Sequence, residues 1–169
     1  PIFISGVAHD NTESLATVRR VPNEPGMAAK VFTLLAEAGV NVDMIVQASA
    51  STGTADISFT VPGSAAAKVR DVLQEKQDEL GYQSFDIDAN VGKVAVVGVG
   101  MKTHSGLAAK FFNALSDEGV NVLMISTSEI RIAALVPLEQ LQDAVRALHT
   151  AYGLDAEQVE AVVYGGTGR

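Results

Sequence analysis

The residues best suited to binding chemistry in this chain surround the glycine that follows Pro25. A glycine at this position permits backbone conformations that other residues avoid, and it lets a small ligand approach the chain. A helix that starts here presents unpaired N–H groups and the positive end of its dipole to a carboxylate. Asn23, Glu24 and Gln47 lie in the same loop or on a following strand, where they could hold an ammonium group. The pattern predicts a site for a small anion or a free amino acid.

The simplest alternative is that Gly26 only makes the turn between a strand and a helix. On the residues alone this interpretation stays open. The number of polar side chains weighs against it, because Asn41 and Asp43 also lie on the strand beside the loop.

Other motifs for catalysis are incomplete. Gly98-Val99-Gly100 follows a strand, but the third glycine of a dinucleotide-binding loop would fall at Thr103, so a plain turn is favoured. The three histidines lie far apart and outside any metal or triad spacing, and only His104, in a loop, is kept as a possible ligand contact. Without a phosphate loop, a carboxylate cluster or a poised base, phosphoryl transfer by this chain is disfavoured. We therefore predict no catalytic residues.

The composition excludes several classes of partner. The chain has 12 Lys and Arg against 20 Asp and Glu, a net charge of -8, and no basic cluster, which argues against nucleic acid and anionic membranes. It has no cysteine, so neither a disulfide framework nor a thiolate metal site is expected. No apolar run is long enough to span a membrane. We expect a cytoplasmic protein with no metal and no cofactor.

The loop around Gly26 occurs twice. Residues 25–47 and residues 105–127 match at a shift of 80 positions, and more than half of them are identical. Self-similarity at this distance indicates a duplicated module. The expected organisation is an N-terminal strand at 1–13 that packs with the second module, a first module at 14–88 and a second module at 91–169.

Each copy predicts the order βαββαβ. In the first copy, apolar spacing and flanking Pro and Gly predict a strand at 14–21, a helix at 27–38, strands at 40–50 and 55–61, a helix that Gly81 ends, and a strand at 82–87. In the second copy they predict a strand at 93–99, a helix at 106–118, strands at 120–129 and 130–136, a helix at 138–152 and a strand at 159–164. This order favours an α+β fold of two ferredoxin-like units, each an antiparallel sheet with both helices on one face.

The two copies differ on the strand that follows the first helix. Asp43 and Gln47 correspond to Leu123 and Thr127, so the first copy keeps polar groups where the second is more apolar. This divergence predicts different duties for the two modules.

Duplicated βαββαβ units with a glycine in the first βα loop resemble ACT domains, the small-molecule sensing modules of amino-acid metabolism. Several segments narrow the resemblance to the regulatory part of aspartate kinase: residues 4–8, 25–32, 41–47, 125–132 with its Ser-Thr-Ser-Glu-Ile-Arg run, and 161–169. The chain is similar to the separate regulatory (β) subunit of α2β2 aspartate kinases.

The resemblance implies a non-catalytic regulatory subunit that dimerises through its ACT domains and associates with a catalytic (α) subunit. It implies feedback inhibition by threonine bound at an interface between two chains, with lysine acting in concert in many members. The residues expected around the ligand are Asn23, Pro25, Gly26, Ala28, Ala29 and Gln47 from the first module, and Asn121 and Val122 from the second.

One departure from the family affects the expected ligand site. The family usually has Asp two residues before the Pro-Gly, and this chain has Asn23, which brings no charge to the ligand's ammonium group. Losing a charge-assisted hydrogen bond costs about 1 kcal/mol or more, and Glu24 or Asp43 could compensate. The alternative function is an assembly subunit that stabilises the catalytic subunit without sensing an effector.

Overall fold

The computed structural model describes residues 3–99, 106–154 and 162–163 of the chain. In chain order its elements are β1 (Phe3–Asp10), β2 (Glu13–Pro22), α1 (Met27–Glu37), β3 (Ile45–Ser49), β4 (Thr54–Pro62), α2 (Ala66–Glu75), α3 (Gln77–Leu80), β5 (Ser84–Asp88), β6 (Val91–Val99), α4 (Gly106–Asp117), β7 (Met124–Thr127), β8 (Arg131–Pro137), α5 (Leu141–Ala151) and β9 (Val162–Val163). Short 3-10 turns at Gly63–Ala65 and Leu138–Gln140 precede α2 and α5.

The chain forms two compact units. The first module is Glu13–Ala89, and the second combines Pro1–Thr12 with Asn90–Arg169. The sheet of the first module has the order β3-β4-β2-β5, and every neighbouring pair in it is antiparallel. The predicted βαββαβ order and antiparallel sheet of an α+β fold are confirmed.

The sheet of the second module contains the N-terminal strand. Within the described part of the chain its order is β7-β8-β6-β1-β9, so β1 lies between the first and last strands of the repeated unit. β1 pairs antiparallel with β6 and parallel with β9, whereas the other described pairs of this sheet, β6 with β8 and β7 with β8, are antiparallel. Of the strand predicted at 159–164, only Val162–Val163 falls among the described residues.

Both modules pack their helices against one face of the sheet, but they place the bulky core side chain differently. In the first module Phe59 of β4 is completely buried and packs near Val31 of α1. At the corresponding positions of the second module, Phe111 of α4 supplies the ring and Ala134 of β8 leaves room for it. The two cores fill similar space with the aromatic ring on opposite layers.

The aromatic pairs follow the same exchange. Phe32 meets the Phe59 ring edge-on at 5.4 Å between centroids, whereas its counterpart Phe112 meets Phe111 at 5.0 Å. A strand-to-helix contact in one module is therefore a contact within one helix in the other.

The strands that follow α1 and α4 are shorter than the apolar pattern predicts. They were expected at 40–50 and 120–129, but β3 begins at Ile45 and β7 at Met124. The residues before β3 show the alternation of a strand, with Val40 and Met44 buried and Asn41 and Asp43 exposed, although the strand itself begins only at Ile45. Hydrophobicity alone did not separate this segment from a strand.

Candidate functional site

The end of β2 is shaped by a β-bulge between Val18 and Val21. Arg20 adopts a left-handed backbone conformation there, with φ at 57°. Its N–H donates to the carboxylate of Asp56 on β4 at 3.0 Å. The left-handed region costs a residue with a side chain roughly 1–2 kcal/mol, so the bulge is a built feature of the strand end. It directs the chain into the loop that carries Asn23.

The loop between β2 and α1 is fixed by its backbone. The N–H of Asn23 donates to the carbonyl of Gly53 at 2.9 Å, which ties the loop to the turn between β3 and β4. Gly26, with φ at 90°, is the N-cap of α1, and a Cβ built on it would meet no atom within 4 Å. Open space lies beside this glycine, and the left-handed conformation explains why glycine occupies the position.

The N-terminus of α1 has no capping side chain and no acidic residue in its first turn. The first intrahelical bond joins the Lys30 N–H to the Gly26 carbonyl at 2.9 Å. Helix geometry leaves the preceding N–H groups, including those of Ala28 and Ala29, without intrahelical acceptors. This end of the helix presents N–H donors and a partial positive charge to an anion.

Polar side chains face this helix end from the edge strand β3. Gln47 Nε2 donates to Asn23 Oδ1 at 3.4 Å, and Asn23 Nδ2 donates to Ser49 Oγ at 3.3 Å. Both hydrogen bonds are long and all three residues are exposed, so a ligand could replace these contacts at little cost.

These groups surround a small pocket of about 80 Å³ in the first module. Its floor is apolar and buried, and its rim is the loop, the start of α1 and one side chain of β3. The lining residues are Val21, Pro22, Asn23, Glu24, Gly26, Met27, Ala28, Gln47, Ala55 and Ile57. The space holds a few water-sized groups, and it pairs an apolar surface with polar groups of both kinds.

The structure places the predicted site residues in three groups. Asn23, Gly26, Ala28 and Gln47 line the pocket. Pro25 and Ala29 are exposed and adjoin it in the chain without lining it. Asn121 and Val122 lie in the second module between α4 and β7, Asn121 exposed and Val122 half-buried against that module's core. His104 lies outside the described residues.

Some residues of the site were not anticipated. Ser49 shares a face with Gln47 because they are two positions apart on a strand, and this spacing was readable in advance. Ala55 and Ile57 reach the pocket because β4 pairs with β3 in a register that sets Ile57 opposite Gln47. That register depends on tertiary pairing, which the alternation within one strand did not reveal.

Glu24 is the carboxylate that the structure places on the pocket. It lines the pocket beside Asn23. Asp43, the other acidic residue considered as a substitute for the missing charge, is not among the lining residues, and its N–H donates to the carbonyl of Thr60 at 3.0 Å. Of these two carboxylates, Glu24 has the position to meet an ammonium group in the pocket.

Both modules expose apolar side chains on an edge strand. On β3 of the first module Ile45 is 53% exposed, and on β7 of the second module Ile125 is 50% exposed. Among the described strands, each of the two has a single neighbour within its sheet. Unpaired, apolar edges are surfaces on which another chain can add.

The described residues contain no group of three or more His, Cys, Asp or Glu side chains placed to hold a metal ion. None of the helices in this part of the chain has the length and apolar character needed to cross a membrane.

Comparison with known proteins identifies the modules. A family model described as ACT domain matches residues 19–77 and matches again at residues 94–152. A crystal structure of aspartokinase alpha and beta subunits contains a chain that is 42% identical to this protein, with a TM-score of 0.85. The match covers 90% of this chain and 100% of that one. The chain belongs to the ACT-domain regulatory part of the aspartate kinase family. The predicted tandem ACT domains are thereby confirmed.

Further members of the aspartate kinase family support this assignment. The regulatory subunit of aspartate kinase from Thermus thermophilus, in its ligand-free form, is 36% identical with a TM-score of 0.84, over 88% of this chain and 98% of that one. The aspartokinases of Mycolicibacterium smegmatis and Corynebacterium glutamicum are 44% and 46% identical over 99% and 98% of this chain. The chain spans 40% of the length of each of these two relatives. The match is therefore to part of each of these two proteins.

Proposed function

We propose that this chain is a non-catalytic regulatory subunit of aspartate kinase, which binds threonine and thereby inhibits the phosphorylation of aspartate. The observation that carries the proposal is the pocket at the start of α1. It combines uncapped helix N–H groups, amide side chains and a carboxylate over an apolar floor. A free amino acid with a short side chain offers a complementary set of groups.

Each part of threonine has a suggested partner in this arrangement. The carboxylate of the ligand binds at the α1 N-terminus, at the N–H groups of Ala28 and Ala29. The ammonium group binds Glu24 and the side-chain oxygen of Asn23. The methyl group packs on the floor near Ile57, and the hydroxyl replaces one of the hydrogen bonds that now join Gln47 to Asn23.

We infer that the complete site forms between two copies of the chain. The pocket is small, about 80 Å³, and its rim is exposed, so a second surface is needed to enclose the ligand. Asn121 and Val122 of the partner copy supply that surface. The exposed Ile45 of β3 and Ile125 of β7 lose contact with water when the copies associate.

Inhibition follows if threonine binds the inactive arrangement of the kinase more tightly than the active one. A coupling of about 1–3 kcal/mol is typical of allosteric effectors. The catalytic (α) subunit is the partner that receives the signal, and lysine acts in concert with threonine. The pathway affected is the synthesis of lysine, threonine and methionine from aspartate in the cytoplasm.

Calorimetry of the full chain with threonine, lysine, methionine and isoleucine tests the sensing role. Threonine is expected to bind, to raise the thermal midpoint and to favour the dimer. Gln47→Ala should weaken binding, whereas the control Gln83→Ala, an exposed glutamine outside the pocket, should leave it unchanged. If none of the four amino acids binds, the sensing role is wrong.

Asn23 favours a second candidate, an assembly subunit that stabilises the catalytic subunit without sensing an effector. An amide at this position brings no charge to an ammonium group. Mixing the chain with the catalytic subunit separates the two functions. An assembly subunit would raise the stability of the kinase and leave its activity indifferent to threonine.

A further inference from the structure

Gln140 makes two hydrogen bonds that tie together the turn between α4 and β7. Its Nε2 donates to the carbonyl of Gly119 at 3.1 Å, and its Oε1 accepts from the N–H of Asn121 at 2.9 Å. Gln140 is the N-cap residue of α5, but its side chain does not cap that helix. It is directed instead at the neighbouring turn.

The turn that Gln140 holds joins the end of α4 to the exposed Asn121. Gly119 has φ at 71°, and its N–H donates to the carbonyl of Ser116 at 2.9 Å. Val120, the next residue, is buried. Gln140 therefore holds the backbone from Gly119 to Asn121, where the chain leaves α4.

The first module has the same turn without the two hydrogen bonds that Gln140 makes. Gly39 has φ at 79° and Asn41 occupies the place of Asn121. Because Pro62 and Pro137 correspond in the repeat, the counterpart of Gln140 is Ala65. A methyl group can neither donate to a carbonyl nor accept from an N–H. The pair of hydrogen bonds from Gln140 to Gly119 and Asn121, called the clamp below, therefore occurs in the second module alone.

We propose that Gln140 is a positioning residue for effector binding. It fixes the turn so that the side chain of Asn121 and the backbone of Val122 are presented to threonine held on the first module of a partner copy. Since the Asn121 N–H already donates to Gln140 Oε1, the hydrogen-bond donor that Asn121 offers the ligand is its side-chain amide. The inference rests on the proposed function, because it assigns Gln140 a role in the same composite site.

The size of the effect follows from the hydrogen bonds. Both are neutral, and Gln140 is partly exposed, so their loss leaves groups that water can reach. The main consequence is a wider range of positions for Asn121, which the ligand must narrow when it binds. Removing the clamp should weaken threonine binding about three- to tenfold.

The experiment compares the full chain with three variants. Gln140→Ala removes both hydrogen bonds. Gln140→Glu keeps an acceptor for the Asn121 N–H but loses the donor to Gly119. Gln142→Ala, an exposed glutamine in the first turn of α5, is the matched control. Threonine affinity is measured by calorimetry. The backbone N–H of Asn121 in the free chain, called the Asn121 amide below, is followed by its NMR chemical shift and hydrogen exchange.

The expected result is weaker threonine binding and a shifted, faster-exchanging Asn121 amide in Gln140→Ala. Gln140→Glu should recover part of both properties, and Gln142→Ala should match the unaltered chain. If the unaltered chain binds threonine and Gln140→Ala binds it equally well, the positioning role is wrong while the proposed function stands. If the unaltered chain binds no effector, both are overturned. An Asn121 amide unchanged in Gln140→Ala would overturn the clamp in either case.

Discussion

Gly26 and Gly106 occupy the same place in the two copies of the repeat, but their backbones differ. Gly26 is left-handed and precedes α1 as its N-cap, whereas Gly106 is already the first residue of α4. In the first module the left-handed glycine begins an open helix end beside Asn23 and Glu24, and a pocket forms there. The two copies of the repeated segment therefore place their glycine differently at the start of the helix.

The largest expected effects come from substitutions in the cores of the two modules. Phe111→Val should cost about 2–4 kcal/mol because it empties space around a completely buried ring, and Ala134→Phe should cost about 1–3 kcal/mol by overpacking. The double variant Phe111→Val with Ala134→Phe places the aromatic ring on β8, just as Phe59 places it on β4 in the first module. The double variant should be at least about 1 kcal/mol more stable than the sum of the single effects predicts.

Urea unfolding of the four proteins in this cycle measures the coupling. The reverse exchange in the first module, Val31→Phe with Phe59→Ala, is the matched cycle. Strictly additive losses in both modules would contradict the view that their cores are alternative packings of one fold.

Local patterns were enough to predict most of this fold. The helices at Met27 and Gly106 and the hairpin strands near Ile57 follow from apolar periodicity and from Gly and Pro signals. The placement of β1 between β6 and β9 was not predictable, because it depends on pairing between segments about 90 residues apart. Periodicity within a segment carries no information about such a partner.

The candidate site shows the same limit. Asn23, Gly26 and Gln47 were found by residue type and by resemblance. The bulge at Arg20 and the clamp at Gln140 were missed, because each depends on a hydrogen bond to another element. An exposed arginine or glutamine gives no signal in the sequence that it holds a backbone in place.

The glycine pair gives the next prediction. Gly26→Ala should destabilise the chain by about 1–2 kcal/mol, since alanine is strained at φ 90° even though its Cβ has space. Gly106→Ala should be neutral or stabilise by up to about 1 kcal/mol, because that residue is helical and its Cβ also meets nothing. Thermal unfolding of both variants provides the measurement. Equal losses would show that the two glycines do not differ as described.

A tyrosine in each module donates its hydroxyl to a backbone carbonyl, Tyr82 to Leu73 and Tyr152 to Leu107. Burial raises the pKa of Tyr152 to about 12 from an ordinary value of 10.0. The folded chain therefore holds this proton more tightly than the unfolded chain. Its contribution to stability is complete below pH 10 and is lost as the pH rises towards 12.

Tyr152→Phe should cost about 1 kcal/mol at pH 8 through the lost hydrogen bond. The difference from the unaltered chain should shrink between pH 10 and 12, as urea titrations at several pH values would report. Tyr82→Phe should behave in the same direction, because burial also raises the pKa of Tyr82. A stability difference at Tyr152 that grows above pH 10 would contradict the assigned environment.

The smallest expected effect concerns the charge in the pocket. Glu24→Gln should weaken threonine binding by about 1 kcal/mol, since it removes the carboxylate offered to the ammonium group. Adding Asn23→Asp to that variant should recover most of the loss, because a negative charge returns at the adjacent position of the loop. The control is Glu37→Gln at the far end of α1. Calorimetry distinguishes these variants, and unchanged affinity in Glu24→Gln would remove Glu24 from the site.

The central claim is that the first module of one copy and the second module of another form a single effector site. A crystal structure grown with threonine tests it most directly. We predict threonine density beside Asn23, Gly26 and Gln47 of one copy, enclosed by Asn121 and Val122 of its partner. Threonine bound away from this loop, or enclosed by one copy alone, would contradict the claim.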